Sequence, residues 1–360
     1  MRIWFAADID MNIPGGVARS MLELADGLGD RGHHVKFVTK NTLPNSNYLM
    51  FSIKLSILFL RTIYDRPDWI IARSTDSLFC LILIKIFNIK TQVILHNHGW
   101  EESVYNLEKK MSRLVISNKT TWKGRFIRFP LLRLTLRLCT KCLNVNNHEK
   151  QFLKEKYPCT VNKLLTVPNG VHCRQGIYWQ SHPPPPYNFL CVGNMTWKKN
   201  LNHTLRLFAC LKRKLTNSKL FIIGTGIDDI SLFQNNNLEK NDIMNVPLVS
   251  YEEMDKWYTA CPYLIVSSRF EGCSLTILEA LSYGIIVFAT GIGSNREIIE
   301  DGFNGYLITG SNIKSDSDTI VNLLNKKNDL ITIRRRAVET ARYFSWSKQV
   351  LKLEKILCKE

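Results

Sequence analysis

The chain has 360 residues, 45% of them hydrophobic and 22% charged, which excludes a disordered polypeptide and leaves room for two domains with sizeable cores. Its net charge of +17 favours contact with something anionic: a phosphorylated substrate, an anionic membrane or nucleic acid. Ten cysteines scattered from Cys80 to Cys358 show no disulfide spacing and read as reduced thiols, so a cytoplasmic protein is expected.

In chain order, Arg2 to Ala7 reads as a strand that meets Asp8 and Asp10, charges a secretory leader would not carry. The turn Pro14-Gly15-Gly16 leads into a helix with Met21, Leu22, Ala25 and Leu28 inward, which stops near Gly29-Asp30-Arg31-Gly32. Val35 to Thr39 is the next strand, and Trp69 to Ala72, Gln92 to Leu95, Cys142 to Val145 and Lys163 to Val167 follow. The apolar stretches Leu49 to Leu60 and Leu78 to Ile89 are interrupted by Lys54 and Lys85 and are too short to span a bilayer. This β-α-β alternation predicts a parallel sheet covered on both faces. His96-Asn97-His98 has no carboxylate or thiol at ligand spacing, so no metal site is expected. Cys139-Thr140-Lys141-Cys142 has no second pair and reads as structural. The Lys119 to Lys141 stretch mixes Lys and Arg with Leu and Phe. It fits a helix lying on an anionic membrane surface, and equally a half-buried helix with solvated basic ends.

Four prolines in His182-Pro183-Pro184-Pro185-Pro186-Tyr187 read as a stiff linker. Beyond it the alternation restarts: a strand over Asn188 to Val192, a helix over Leu201 to Leu215, and a strand over Leu220 to Ile223 ending at Gly224-Thr225-Gly226. Tyr263 to Val266, Ile285 to Ala289 and Tyr306 to Ile308 complete the set. The expected organisation is a first domain over residues 1–181, a linker at 182–187 and a second domain over 188–344. Two such halves about a hinge would face a central cleft, with ligand beyond the strand ends. The closing helical segment, 345–360, must pack on one of them.

The most informative stretch runs from Ser267 to Gly284. After a buried strand it turns through Glu271-Gly272 and enters a helix at Ser274, with Leu275, Leu278 and Leu281 as its apolar face and Gly284 as its stop. Glu279 falls on the other side, with Thr276 and Tyr283. The amides of Ser274 to Ile277 would attract an anion between the two acids, a cradle suited to a sugar diphosphate. Taken alone, two glutamates at a helix start are ordinary surface charges; their company gives them meaning.

That company resembles the retaining glycosyltransferases of family 4, the "group 1" enzymes of GT-B fold. Glu271-Gly272 and Glu279-Ala280 match the family's paired-glutamate segment, and Asp301-Gly302-Phe303-Asn304-Gly305-Tyr306-Leu307 its closing turn. Val167-Pro168-Asn169-Gly170-Val171, Gly15-Gly16, Gly32-His33-His34-Val35 and Phe344-Ser345-Trp346 match further segments in the family's order. The resemblance implies an α/β protein with two Rossmann-like, doubly wound parallel-sheet domains, the closing helix crossing back to the first. It implies a catalytic pair, Glu271 orienting the transferred sugar and His98 facing it from the first domain. Donor contacts fall on Gly16, on Asn194 and Lys199, on the amides around Cys273, Ser274 and Leu275, and on Glu279 at the ribose. One position departs from the pattern: the family's usual Arg after the phosphate-segment glycine is Asn194 here. Charge on the leaving group would then rest on Lys199, the helix end, and Lys198 or Arg269.

The implied function is sugar transfer, with retention and without a metal, from a nucleotide-diphosphate sugar, UDP- or GDP-linked, to a glycan or lipid-linked acceptor. Cell-surface polysaccharide or lipopolysaccharide synthesis is the expected setting, with no further cofactor, no nucleic acid and an anionic membrane surface as partner on its inner, cytoplasmic face. The alternatives are a non-catalytic relative that binds anionic membrane or nucleic acid, and a nucleotide-sugar epimerase of the same architecture.

Overall fold

A computed structural model describes residues 1–11, 15–44, 47–62, 64–112, 124–174, 187–226, 238–239 and 241–358. Pro14, Lys119, Lys123 and the proline run at 183–186 lie outside the described residues. The chain forms two compact units, Met1–Asn169 together with Trp346–Glu360, and Gly170–Ser345.

In the first unit six parallel strands run in the order β2-β1-β3-β4-β5-β6. They are β1 (Arg2–Ala6), β2 (His34–Val38), β3 (Trp69–Arg73), β4 (Gln92–Asn97), β5 (Lys141–Asn144) and β6 (Leu164–Thr166). The helices between them are α1 (Gly16–Asp30), α2 (Tyr48–Arg61), α3 (Leu78–Ile86), α4 (Glu101–Ser112), α5 (Phe129–Leu138) and α6 (Asn147–Lys156). The two apolar stretches too short to span a bilayer are α2 and α3. Because the chain steps from β1 outward to β2 and then back past β1 to β3, right-handed crossovers put α1 on one sheet face and α2, α3 and α5 on the other. On that second face Trp4, Ala6, Ile70, Ala72, Val93 and Leu95 meet Phe51, Leu55 and Phe59 of α2, Leu81 and Ile84 of α3, and Leu132 and Leu136 of α5. Asn47 and Asn146 start α2 and α6 by accepting backbone N–H bonds, which satisfies donors that a helix start leaves open.

The second unit repeats the plan with the order β12-β11-β10-β7-β8-β9, again all parallel. Its strands are β7 (Tyr187–Val192), β8 (Ser218–Ile223), β9 (Ile243–Val246), β10 (Tyr263–Val266), β11 (Ile286–Thr290) and β12 (Tyr306–Ile308). The helices are α7 (Leu201–Lys214), α8 (Met254–Ala260), α9 (Leu275–Ser282), α10 (Ile313–Leu324) and α11 (Lys327–Tyr343). The central strands β10 and β11 are buried along their whole length, as their unbroken apolar sequences require. The core of one face joins Phe189, Ile222, Tyr263, Ile265 and Phe288 to Leu205, Phe208 and Leu211 of α7. Strand order reverses between β7 and β10, which are hydrogen-bonded neighbours.

The last helix, α12 (Trp346–Cys358), belongs to the first unit and packs on α1. There Arg31 and His33 both bond Glu354, at 2.7 and 3.0 Å, and Gly27 leaves room for Val350.

Candidate functional site

In an open parallel sheet, the point where strand order reverses leaves a crevice at the carboxyl ends of the two central strands, because the chains leaving them turn to opposite faces. In the second unit those ends are Gly193 to Lys199 after β7 and Ser267 to Glu271 after β10. Asn194, Lys198, Lys199, Arg269 and Glu271, five of the eleven residues expected to carry function, stand there. Three contacts stitch the two segments together. The Arg269 backbone N–H donates to the Lys198 carbonyl at 2.7 Å, and the Arg269 guanidinium to the Trp197 carbonyl at 3.1 Å. Lys199 Nζ donates to Glu271 Oε1 at 2.7 Å.

The backbone explains how Lys199 gets there. Gly193 has φ +138, and a Cβ on it would stand 2.9 Å from Lys199 Cε, so the missing side chain is the lane through which the lysine runs. The neighbouring strand ends at Gly224 (φ +143), where a Cβ would meet the Gly193 carbonyl oxygen at 2.0 Å. Asn200, left-handed at φ 55, then turns the chain into α7. Glu271 is held from a second side by Ser268, whose hydroxyl donates to the same Oε1 at 2.6 Å. Sequence reading missed Ser268, although it stands only three residues before the acid.

Beyond Glu271 the chain enters α9, with Ser274 as the residue before its first turn and the Ser274 carbonyl accepting from Leu278 N–H at 3.2 Å. Cys273 and Ser274 are buried, and the Ser274 hydroxyl has no partner among the described residues. The first-turn amides of such a helix have no intrahelical acceptor and favour negative charge. The buried face of α9 is Ile277, Leu278, Ala280 and Leu281; Leu275, expected on it, is only half-buried. The helix stops at Gly284 (φ +68), where Gly284 N–H bonds Leu281 and Ile285 N–H bonds Ala280, the paired closure that a left-handed glycine allows.

Glu279 does not stand on an open polar side of α9 with Tyr283. Tyr283 is buried, stacked 5.1 Å from Tyr258 and bonded to Asp255. Tyr258, itself buried on α8, donates to Glu279 Oε2 at 2.7 Å. Nothing in the sequence pointed to Tyr258, because its partner lies 21 residues away on another helix.

The remaining cations are differently placed. Lys198 Nζ lies over the Phe270 ring, 5.5 Å from its centre. Asn194 is exposed beside the Gly224-Thr225-Gly226 turn, where Met195 N–H bonds the Thr225 carbonyl.

Gly16 and His98 belong to the first unit. Gly16 is the first residue of α1, after an extended Gly15. His98 follows β4, its ring 4.0 Å from that of His96. Burial holds the His96 imidazole at about 4 and, with the nearby charges of His96 and Arg73, keeps His98 well below the usual histidine range. At the end of β3, buried Asp76 accepts from the Asp8 N–H at 2.9 Å, and burial pushes its carboxyl up to about 7. Burial thus biases Asp76, His96 and His98 toward the uncharged form, while the ends of β1 and β2 carry the Asp8–Lys40 ion pair at 3.7 Å.

Among the described residues no group of three His, Cys, Asp or Glu is placed to hold a metal ion. Cys139 and Cys142 are buried and unbridged, and burial raises both thiols, Cys139 to about 11. No helix among the described residues is long and apolar enough to cross a membrane.

Comparison with known proteins bears on this geometry. Residues 180–343 match the family model "Glycosyl transferases group 1", and residues 14–175 match "Glycosyltransferase Family 4". An uncharacterized glycosyltransferase of Methanocaldococcus jannaschii is 27% identical over 66% of this chain and 64% of its own length. Matched segments span 24% and 27% of two other relatives. Among solved structures, Anabaena HepE in complex with UDP and glucose superposes with a TM-score of 0.74 at 15% identity, over 100% of both chains. The lipopolysaccharide outer core galactosyltransferase WaaB gives 0.70 at 16% identity, over 98% of this chain and 100% of that one. At such identities the likeness is one of fold, two Rossmann-like domains of the GT-B type.

Proposed function

The chain belongs to the group 1 glycosyltransferases of family 4, and we propose that it moves a hexose, with retention of configuration, from a UDP- or GDP-linked donor to a glycan or lipid-linked acceptor. The observation that carries this reading is the Lys199–Glu271 pair at the switch point of the second unit, 2.7 Å apart and beside the start of α9. A cation that can turn to a diphosphate and a carboxylate that can turn to sugar hydroxyls are the two halves of a nucleotide-sugar site.

In this reading the departing diphosphate is stabilised by Lys199 and the first-turn amides of α9, with no divalent ion, and this electrostatic effect dominates the rate. Glu271, fixed by Ser268, orients the sugar, and Glu279, fixed by Tyr258, accepts from the ribose hydroxyls. Neutral His98 and Gly16 serve from the first unit, the histidine as a hydrogen-bonding partner for the sugar and the glycine as an open backbone approach to phosphate. The acceptor attacks from the face that the diphosphate leaves, and a phosphate oxygen takes its proton. With an uncharged Asn194, Lys199 carries more of the leaving-group charge than it would beside an arginine. Support for the cell-surface setting is the fold shared with WaaB, a lipopolysaccharide outer core galactosyltransferase.

The test is transfer or hydrolysis of UDP- and GDP-sugars by the full chain, after a thermal-shift screen with UDP, GDP and ADP. Stabilisation by one nucleotide, with glycoside formed from its sugar conjugate, is the expected result. Absence of both sinks the reading, and a C-epimerised sugar in place of a glycoside would identify an epimerase.

A further inference from the structure

The layer of helices over one face of the first sheet has an unusual composition. Neither α2, nor α3, nor the continuous helical segment Gly124–Leu138 that contains α5 carries a single aspartate or glutamate. The three pack side by side, α2 on α3 and α3 on α5. Their inner sides fill the core, yet their outer sides are also apolar: Ile57 and Leu60 on α2, Ile86 and Phe87 at the end of α3, Ile127 and Leu134 along α5. Ile86 is 68% exposed and Phe87 64%. Scattered exposed side chains of this size are normal on a soluble protein; a run of them across three adjacent helices is not.

We propose that the outer side of this layer docks on an anionic phospholipid bilayer. The same helices expose Arg61, Lys85 and Arg137, and Lys90 is exposed just after α3. Arg128 and Arg133 add little to this charge, because they pair with Glu101 and Glu102 of α4. Helices joining parallel strands run antiparallel to those strands, so the layer can lie flat in the headgroup plane. The aliphatic tips then enter the acyl boundary while long basic side chains reach up to the phosphates. Phe87 and Phe126 are the exposed aromatics on these helical segments, against five aliphatic tips, and that aliphatic majority favours lipid over the successive stacking that single-stranded nucleic acid requires.

This widens the docking surface beyond the one stretch that the sequence suggests. Among the described residues of Lys119 to Lys141, Phe129, Leu132 and Leu136 turn into the core, while Ile127, Leu134 and Arg137 stay exposed. The surface is built by three helices from separate parts of the chain. It deepens the reading of a lipid-linked acceptor but stands on the surface of the first unit alone.

Co-sedimentation of the full chain with vesicles of phosphatidylcholine, with and without phosphatidylglycerol, tests it. The wild type should pellet with the anionic vesicles at low salt and be released at high salt, each cation near the surface contributing about fivefold. The double variant I86E/F87E should bind at least about tenfold more weakly, since it removes inserted apolar surface. R61E/K85E should also weaken pelleting. Neither variant should change the thermal melt or donor hydrolysis in solution, and that hydrolysis reports on the glycosyltransferase reading independently. A wild type that stays in the supernatant at low salt overturns the proposal, as does I86E/F87E pelleting like wild type. Self-association without lipid, or oligonucleotide binding, that disappears in I86E/F87E would reassign the surface and overturn it too.

Discussion

The two units share one topological plan but equip the ends of their central strands differently. After β7 and β10 of the second unit stand opposite charges in direct contact, Lys199 and Glu271, both partly open to solvent. At the ends of β3 and β4 of the first unit stand Asp76, His96 and His98, all of which burial drives toward the uncharged form, beside a looser Asp8–Lys40 pair at 3.7 Å. A diphosphate needs fixed positive charge, whereas a saccharide hydroxyl needs neutral donors and acceptors that do not each bring a desolvation cost. In the proposed function one sheet plan would serve two ligands by changing what its loops hold charged.

The largest expected effect breaks the charged half of this contrast. Lys199→Ala and Glu271→Ala should each lower kcat by roughly 10²–10³-fold, the scale of losing one electrostatic group at developing charge. Glu271→Ala should still bind the nucleotide in a thermal-shift assay, since only its sugar contact is lost. Turnover near the wild-type rate in Glu271→Ala would end the assignment.

The neutral half is tested by pH. His96 falls from an ordinary 6.5 to about 4 on folding, so the unfolded chain takes up the proton first as pH drops below 6.5. Stability from this site is therefore present above 6.5 and lost as pH falls toward about 4, by at most about 3 kcal/mol at 1.36 kcal/mol per unit. Asp76 works in the other direction: raised from 3.8 to about 7, it keeps its proton in the fold, and its contribution is lost as pH rises through about 7. Urea midpoints across this range should show His96→Gln flattening the acid side and Asp76→Asn gaining on wild type as pH rises from 3.8 to about 7, with the gain constant above it. Parallel curves for wild type and both variants would refute the uncharged description of these strand ends.

A smaller effect concerns the backbone that aims Lys199. Gly224→Ala places a methyl 2.0 Å from the Gly193 carbonyl at a positive φ, and should cost about 2–3 kcal/mol of stability from strain and overpacking together. Gly32→Ala, at φ +86 with nothing within 4 Å, carries only the conformational part and should cost less. Equal costs would mean that the close approach of β7 and β8 is not what fixes the glycine.

How far the sequence revealed all this follows from the reach of each signal. Unbroken apolar runs such as Tyr263 to Val266 mark buried parallel strands wherever they occur, and that strand was read to the residue. The strand Ile243–Val246 was not read, because it is a short, half-exposed edge with Asn245 within it and no alternation to detect. Glu271, Glu279 and Lys199 were legible because local segments carry them. Their partners were legible only when near in sequence: Ser268 could have been found within its own segment, Tyr258 could not. The extent of the proposed docking surface is hidden from sequence for the same reason. Hydrophobic residues in α5 announce a face without saying whether core or solvent claims it, and only packing decided that Leu132 turns inward while Leu134 turns out.

The smallest predicted effect isolates one of those long-range partners. Tyr258 bonds Glu279, and in the proposed function its hydroxyl would position that carboxylate for the ribose without touching the reacting atoms. Tyr258→Phe removes one hydrogen bond and keeps the ring packed 5.1 Å from Tyr283, so the fold should survive. Losing a bond to a charged acceptor costs about 1.5–3 kcal/mol when complete, and less when Glu279 can re-orient toward solvent. The expected result is a donor KM raised about threefold to tenfold with kcat little changed, because a ribose contact binds ground state and transition state alike. A purely structural role for the tyrosine would lower the melting temperature and leave KM alone. A fall in kcat at constant KM would instead move Glu279 from donor binding to the chemical step, and would place charged chemistry on α9 where only positioning is assigned.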